Sequence, residues 1–159
     1  MKEKITTADI IMLAGAVVTF LFSFFSFFDV GDGVNAWDTD AFAFATSVPA
    51  LLALVMVVWI GLELGGVELP TDVLTFNRPQ LKTTWGISAA GIMLSWISTN
   101  PDKAVGFWLM LFGSLAMAVG SVMALLGVGN DPVVAADSAA PDAPDAPPST
   151  PPPSTPSAE

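Results

Sequence analysis

Residues 10–28 read IIMLAGAVVTFLFSFFSFF, 19 residues in a row without a charge. As a helix at 1.5 Å per residue this stretch reaches ~28 Å, close to the hydrocarbon thickness of a bilayer. Three further apolar runs follow, over about 48–66, 83–98 and 105–126. Their apolar residues are blocked rather than alternating, which is the pattern of membrane helices and not of strands. The predicted fold class is therefore all-α integral membrane, with four transmembrane helices in an antiparallel bundle over residues 1–128. Residues 129–159 are a different material. They hold nine of the 13 prolines, with Ala, Ser, Thr and Asp, too little apolar surface to offset ordering entropy, and predict a disordered tail with polyproline II bias.

Composition narrows the function. Hydrophobic residues make up 53% of the chain and charged ones 13%, about half the charged share of soluble domains. A net charge of −10 with five scattered Lys/Arg offers no basic face for phosphates, so no nucleic-acid partner is expected. Cysteine, histidine and tyrosine are absent, which removes thiolate chemistry, the usual general base and the commonest metal ligands. No phosphate-binding loop, dinucleotide fingerprint, nucleophile elbow or zinc-protease motif is present. The expectation is a protein that is not an enzyme and needs no cofactor.

Five positive charges set the sidedness. With a cytoplasmic N-terminus, Lys2, Lys4, Arg78 and Lys82 lie inside and Lys103 alone outside, as the positive-inside rule requires. Four spans then return the tail to the cytoplasm, and the expected location is the cell membrane, multi-pass. In this threading Trp59 and Trp85 fall towards the inner face, and Trp37, Trp96 and Trp108 towards the outer one, two interfacial belts. The first span has the lysines of a signal peptide before it. It exceeds a typical h-region, however, and has no small-x-small site near its end, so it is expected to stay.

Thr6-Thr7-Ala8-Asp9 has the form of a capping box before the first span. Ser47 and Pro49 suit the start of the second, and Pro70 and Pro79 are read as breakers in the connector 67–82. Lipid gives helices no hydrophobic reason to associate, so small residues mark candidate packing faces. These are Gly61 and Gly65 in the second span, Ser88, Gly91 and Ser95 in the third, and Gly113, Gly120 and Ala124 in the fourth. A tight turn at Asn100-Pro101 makes the last two spans an antiparallel pair, with the stripes expected face to face.

Polar residues offer two candidate sites. Glu63 is the ionisable residue of the second span and a candidate ion or proton site. It stands near the inner boundary, where it can reach headgroups or pair with Arg78 or Lys82. The outer loop carries Asp29, Asp32, Asp38 and Asp40, a candidate cation-binding cluster of hard oxygen ligands, although the spacing departs from the EF-hand pattern.

Phe24-Phe25-Ser26-Phe27-Phe28, Asn35-Ala36-Trp37-Asp38, the Asn100-Pro101 turn and Gly106-Phe107-Trp108 give the chain a characteristic order of parts. In this it resembles small actinobacterial four-helix membrane proteins of unknown function, the mycobacterial antigen-like membrane proteins among them, over residues 9–128. The resemblance implies a membrane location and no catalytic residue. The expected partners are the lipid bilayer and a membrane protein or further copies of the chain. The expected role is a non-catalytic accessory or scaffold subunit. The alternative is a small oligomeric transporter or channel using Glu63 and a hydroxyl-lined third span.

Overall fold

The computed structural model describes residues 5–29, 33–38, 43–99 and 102–129. Among these the chain forms helices α1 (Thr7–Phe22), α2 (Ala43–Leu64), α3 (Arg78–Ser95) and α4 (Val105–Leu125), with a 3₁₀ turn at Trp96–Ser98. Two short antiparallel hairpins complete it: β1 (Ser26–Phe28) with β2 (Val34–Asn35), and β3 (Asp72–Val73) with β4 (Phe76–Asn77). The expected tail lies outside the described residues apart from Gly129, as do Asn100 and Pro101.

The helices close a four-sided bundle. α1 packs on α4 and α2, α3 packs on α4 and α2, and the α2–α4 diagonal barely touches. Two apolar clusters fill the interior. One holds Met12, Ala16, Met56, Ile60, Ala89 and Met117. The other lies towards the β1–β2 end, around Phe27, Met93, Phe107 and Met110. α2, from Phe44, and α4 are long and apolar enough to cross a membrane. α1 has 16 residues, and α3 begins with Arg78, Gln80 and Lys82.

Three boundaries differ from the sequence expectation. The first helix ends at Phe22 rather than continuing to residue 28. Ser23 turns its hydroxyl back onto the Phe20 carbonyl at 2.6 Å, and the aromatic residues beyond, well suited to strands, enter β1. Gly33, at φ +83°, supplies the left-handed residue just before β2. α2 starts at Ala43, so Pro49 lies inside the helix and Ser47 is not its cap. α3 starts at Arg78, five residues before the predicted span. Asn77 and Gln80 form a reciprocal capping box, with bonds of 3.0 and 3.1 Å. Pro79 then occupies the first turn, where its missing N–H costs nothing; it opens the helix it was expected to exclude. At α1 the anticipated box is present, Thr6 capping and Asp9 answering.

The hairpin β1–β2 lies over one end of the bundle. Phe27 is fully buried, with its ring 5.2 Å from that of Phe107 and 6.1 Å from that of Trp96, both edge-on. Trp37 donates its indole N–H to Ser23 Oγ at 2.9 Å. The Ala104 N–H reaches the Phe27 carbonyl at 3.2 Å, stitching the hairpin to the start of α4.

The closest helix pair is α1 with α4, not α3 with α4. A Cβ on Gly15 would stand 2.6 Å from the Gly113 carbonyl oxygen, and one on Gly120 2.8 Å from the Met12 backbone nitrogen. Backbone meets backbone there, and only glycine allows it. Gly113 and Gly120 thus serve α1, while α3 meets α4 through Gly86, against Ala118 and Ser121, and through Thr83. The proposed face-to-face stripes are corrected accordingly. Ser88, Gly91 and Ser95 point outward, as do Gly61 and Gly65, and a Cβ on Gly91 or Gly61 would meet nothing within 4 Å. Ala124 is half-buried against the Met12–Met117 cluster. The spacing of small residues marks a face but not the direction in which it turns.

Replacing Gly113 with Leu is expected to destabilise the purified chain by about 2 kcal/mol or more through overpacking against α1. Gly91→Leu should stay within about 0.5 kcal/mol of the parent. Denaturant titration in detergent, followed by helical circular dichroism, checks both.

Candidate functional site

Antiparallel packing brings the N-termini of α1 and α3 to the same end of the bundle as the C-termini of α2 and α4. α1, α2 and α3 each give a side chain to one polar cluster, and α4 adds Ala124 to the wall beside it. Lys82, in the second turn of α3, sends its ammonium 2.6 Å from Glu63 Oε2, in the last turn of α2. Asp9 Oδ1, in the first turn of α1, lies 3.4 Å away on another side. Both members of the Glu63–Lys82 pair are largely withdrawn from solvent, with side chains 8% and 9% exposed, while Asp9 is 21% exposed.

Each carboxylate has a second hold. Trp59, one turn before Glu63, donates its indole N–H to Glu63 Oε1 at 2.8 Å. Its ring meets Trp85 edge-on at 5.6 Å. Asp9 Oδ2 accepts from the Thr6 hydroxyl at 2.7 Å and from the Thr6 N–H at 3.3 Å, closing the capping box. An anionic group there also faces the positive end of the α1 dipole. Glu63 has the opposite problem, a carboxylate at a helix C-terminus, and Lys82 offsets it. Arg78, one turn before Lys82, donates to the carbonyls of Leu69 and Pro70. A cavity of about 380 Å³ opens beside the cluster, walled by Asp9, Glu63, Arg78 and Lys82 and by apolar side chains such as Ile60 and Leu64.

Away from the cluster, two apolar groups of side chains fill the interior. Three buried hydroxyls turn back on their own helices, Thr19 on Gly15, Ser114 on Leu111 and Ser121 on Ala118, at 2.8–2.9 Å, whereas that of Thr46 reaches the Ala36 carbonyl at 2.9 Å. Thr83 also reaches the Ser121 carbonyl at 3.0 Å. Ser95 donates to Ile92 at 2.7 Å on the outer surface. Of the third-span hydroxyls, Ser88 and Ser95 are exposed and Thr83 is buried.

Glu63 is brought to a partner, and of the two cations anticipated for it the structure selects Lys82. Of the four outer-loop acids, only Asp29 and Asp38 lie among the described residues. Asp29 is exposed and its N–H donates to the Asp102 carbonyl at 3.0 Å; Asp38 stands beyond β2, and Asp32 and Asp40 lie outside the described residues. Among the described residues no three acidic side chains gather as a metal site. The sequence gives Asp9 a capping role alone, and places Lys82 in the connector as one of two possible partners of Glu63. A signal for the cluster existed in the sequence: Trp59 and Glu63 at i, i+4, and a lysine just inside a proline-started helix.

No protein-family model matches the chain, and comparison with curated proteins and with solved structures likewise yields no match.

Substituting Lys82 with Met leaves two carboxylates without their cation and is expected to cost about 3–5 kcal/mol. Adding Glu63→Gln to that variant should recover much of the loss, because the buried charge goes with it. A double-mutant cycle by denaturant titration measures the coupling; equal destabilisation of the single and double variants would contradict the pairing.

Proposed function

We propose that the chain is a non-catalytic membrane protein, an accessory or scaffold subunit whose four helices all span the bilayer with both termini in the cytoplasm. The observation that carries the role is the outward face of α3. Ser88, Gly91 and Ser95 present small groups at helical spacing, and the space over Gly91 is open. In lipid, such a face is where another helix approaches closely. The interior is meanwhile occupied by two apolar clusters, so the surfaces left for interaction are external. The threading rests on the count of Lys and Arg, four against one. The two helices of membrane-spanning length support a membrane location. The likeness to small actinobacterial four-helix membrane proteins belongs to the same proposal.

The transporter reading has less behind it. Glu63 is already bonded to Lys82 and Trp59, and Ser88 and Ser95 face away from the bundle interior.

The chain has no cysteine, so single-cysteine variants report cleanly. In native membranes, Gly91→Cys and Ser95→Cys should crosslink to a second copy or to one discrete partner. Ala89→Cys, fully buried inside the bundle, should not. If Gly91→Cys stays as monomeric as Ala89→Cys, α3 is not an interface and the scaffold role loses its support.

A further inference from the structure

α1 is too short to cross a bilayer by itself. Its 16 residues rise about 24 Å, against a hydrocarbon core of roughly 30 Å. α4, packed along it, has 21 residues and covers that thickness in full. The two helices are level at the Lys82 end, where the Ala8 N–H donates to the Gly129 carbonyl at 3.3 Å. At the opposite end α4 runs on past Phe22, and the chain between Ser23 and Phe28 lies beside its first turn. A Cβ on Gly106 would stand 2.5 Å from the Ser26 carbonyl oxygen and 3.0 Å from that of Phe25.

This non-helical segment suits a place without water. The Phe25 N–H donates to the Phe22 carbonyl at 3.1 Å, and the Ser23 carbonyl accepts from the Ala36 N–H at 3.1 Å. Backbone that leaves a helix within a membrane must find such partners in the protein. The side chains are apolar and turn outward, Phe24 being 58% and Phe25 56% exposed. Phe24 is held in that position, stacked on Trp37 at 5.7 Å and edge-on to Phe20 at 5.4 Å. Exposed apolar side chains stand at the same end of every other helix: Phe44 at the start of α2, Ile97 just after α3 and Val105 at the start of α4. A protein partner would cover one side of this collar, whereas a bilayer meets all of them. Charge begins at the next level, with Asp29 beside Asp102 and Lys103 beside Phe28.

We propose that Phe24 and Phe25 face the acyl chains of the leaflet at the β1–β2 end, the outer one in the proposed threading. The turn into β1 is then the non-helical end of the first span and not part of a solvated loop. It completes an apolar collar that sets how deep the bundle sits, and supplies the thickness that α1 lacks. The inference rests on the bundle spanning a bilayer, and not on what the outer face of α3 binds.

Four full-length single-cysteine variants test it: Phe24→Cys, Phe25→Cys, Phe112→Cys and Asp102→Cys. Each carries a nitroxide label in vesicles of palmitoyl-oleoyl phosphatidylethanolamine and phosphatidylglycerol. Spin relaxation is read with oxygen, which concentrates among acyl chains, and with a nickel chelate confined to the water on both sides. Phe112, 62% exposed and two turns into α4, is the lipid reference, and exposed Asp102 is the water reference. Labels at 24 and 25 should relax with oxygen and not with nickel, on the Phe112 side of the midpoint between the two references. Values on the Asp102 side place the segment in water and overturn the proposal. Protection from both reagents places protein over the collar and overturns it as well. Circular dichroism in the vesicles checks folding, and Phe25→Cys carries the test if Phe24→Cys, which loses the Trp37 stacking, does not fold. A label at 112 that relaxes with nickel as Asp102→Cys does sinks the spanning reading itself. If 112 stays in lipid while 24 and 25 meet nickel, this proposal alone fails.

Discussion

A charge taken out of water must be matched from within, and Lys82 is where this protein meets that requirement. Moving an ammonium or carboxylate into an apolar interior costs several kcal/mol per ion even after relaxation. The Glu63–Lys82 pair, at 2.6 Å and less than a tenth exposed, offsets that cost only because the chain holds both groups in place. Glu63 is fixed by Trp59, and Lys82 rides on a helix whose start is fixed by Asn77 and Gln80. Asp9 joins the same ammonium from a capped helix end. One side chain therefore ties α1, α2 and α3 together, at the end where their backbone termini would otherwise be least restrained. The α1–α4 contact through Gly15, Gly113 and Gly120 completes the ring by shape alone.

Much of this was legible in the sequence. Long uncharged runs announced the helices, and the Thr6–Asp9 box announced where the first begins. Glu63 was visible as a residue needing a cation, with Arg78 and Lys82 both in reach. What misled was local punctuation. Pro79 reads equally as a breaker and as a first-turn residue, and only the Asn77–Gln80 box decides between them. The phenylalanine run has the composition of a membrane helix, yet it leaves the helix after Phe22 and buries Phe27 edge-on against Phe107 and Trp96, while Phe24 and Phe25 stay exposed. Small-residue stripes were the hardest to place. In water an exposed Gly-Ser face and a buried Leu face differ in energy by burial, but in lipid that difference disappears. The sequence therefore does not distinguish inward Gly113 from outward Gly91.

The two ends of the bundle are built differently. At the β1–β2 end, an aromatic layer and backbone stitches to Asp102 and Ala104 cover the core. At the other end the core gives way to the ion-paired cluster and its cavity. Trp37 and Trp96 stand at the first end, Trp59 and Trp85 at the second.

The central claim is that the bundle spans a bilayer with the Asp9–Glu63–Lys82 cluster on the cytoplasmic side. Single cysteines at Thr75, in the turn between β3 and β4, and at Asp102, before α4, sit at opposite ends on exposed positions. A membrane-impermeant maleimide applied to intact cells should label Asp102→Cys at once and Thr75→Cys only after lysis. Labelling of Thr75→Cys in intact cells, or identical behaviour of the two positions, would contradict the account.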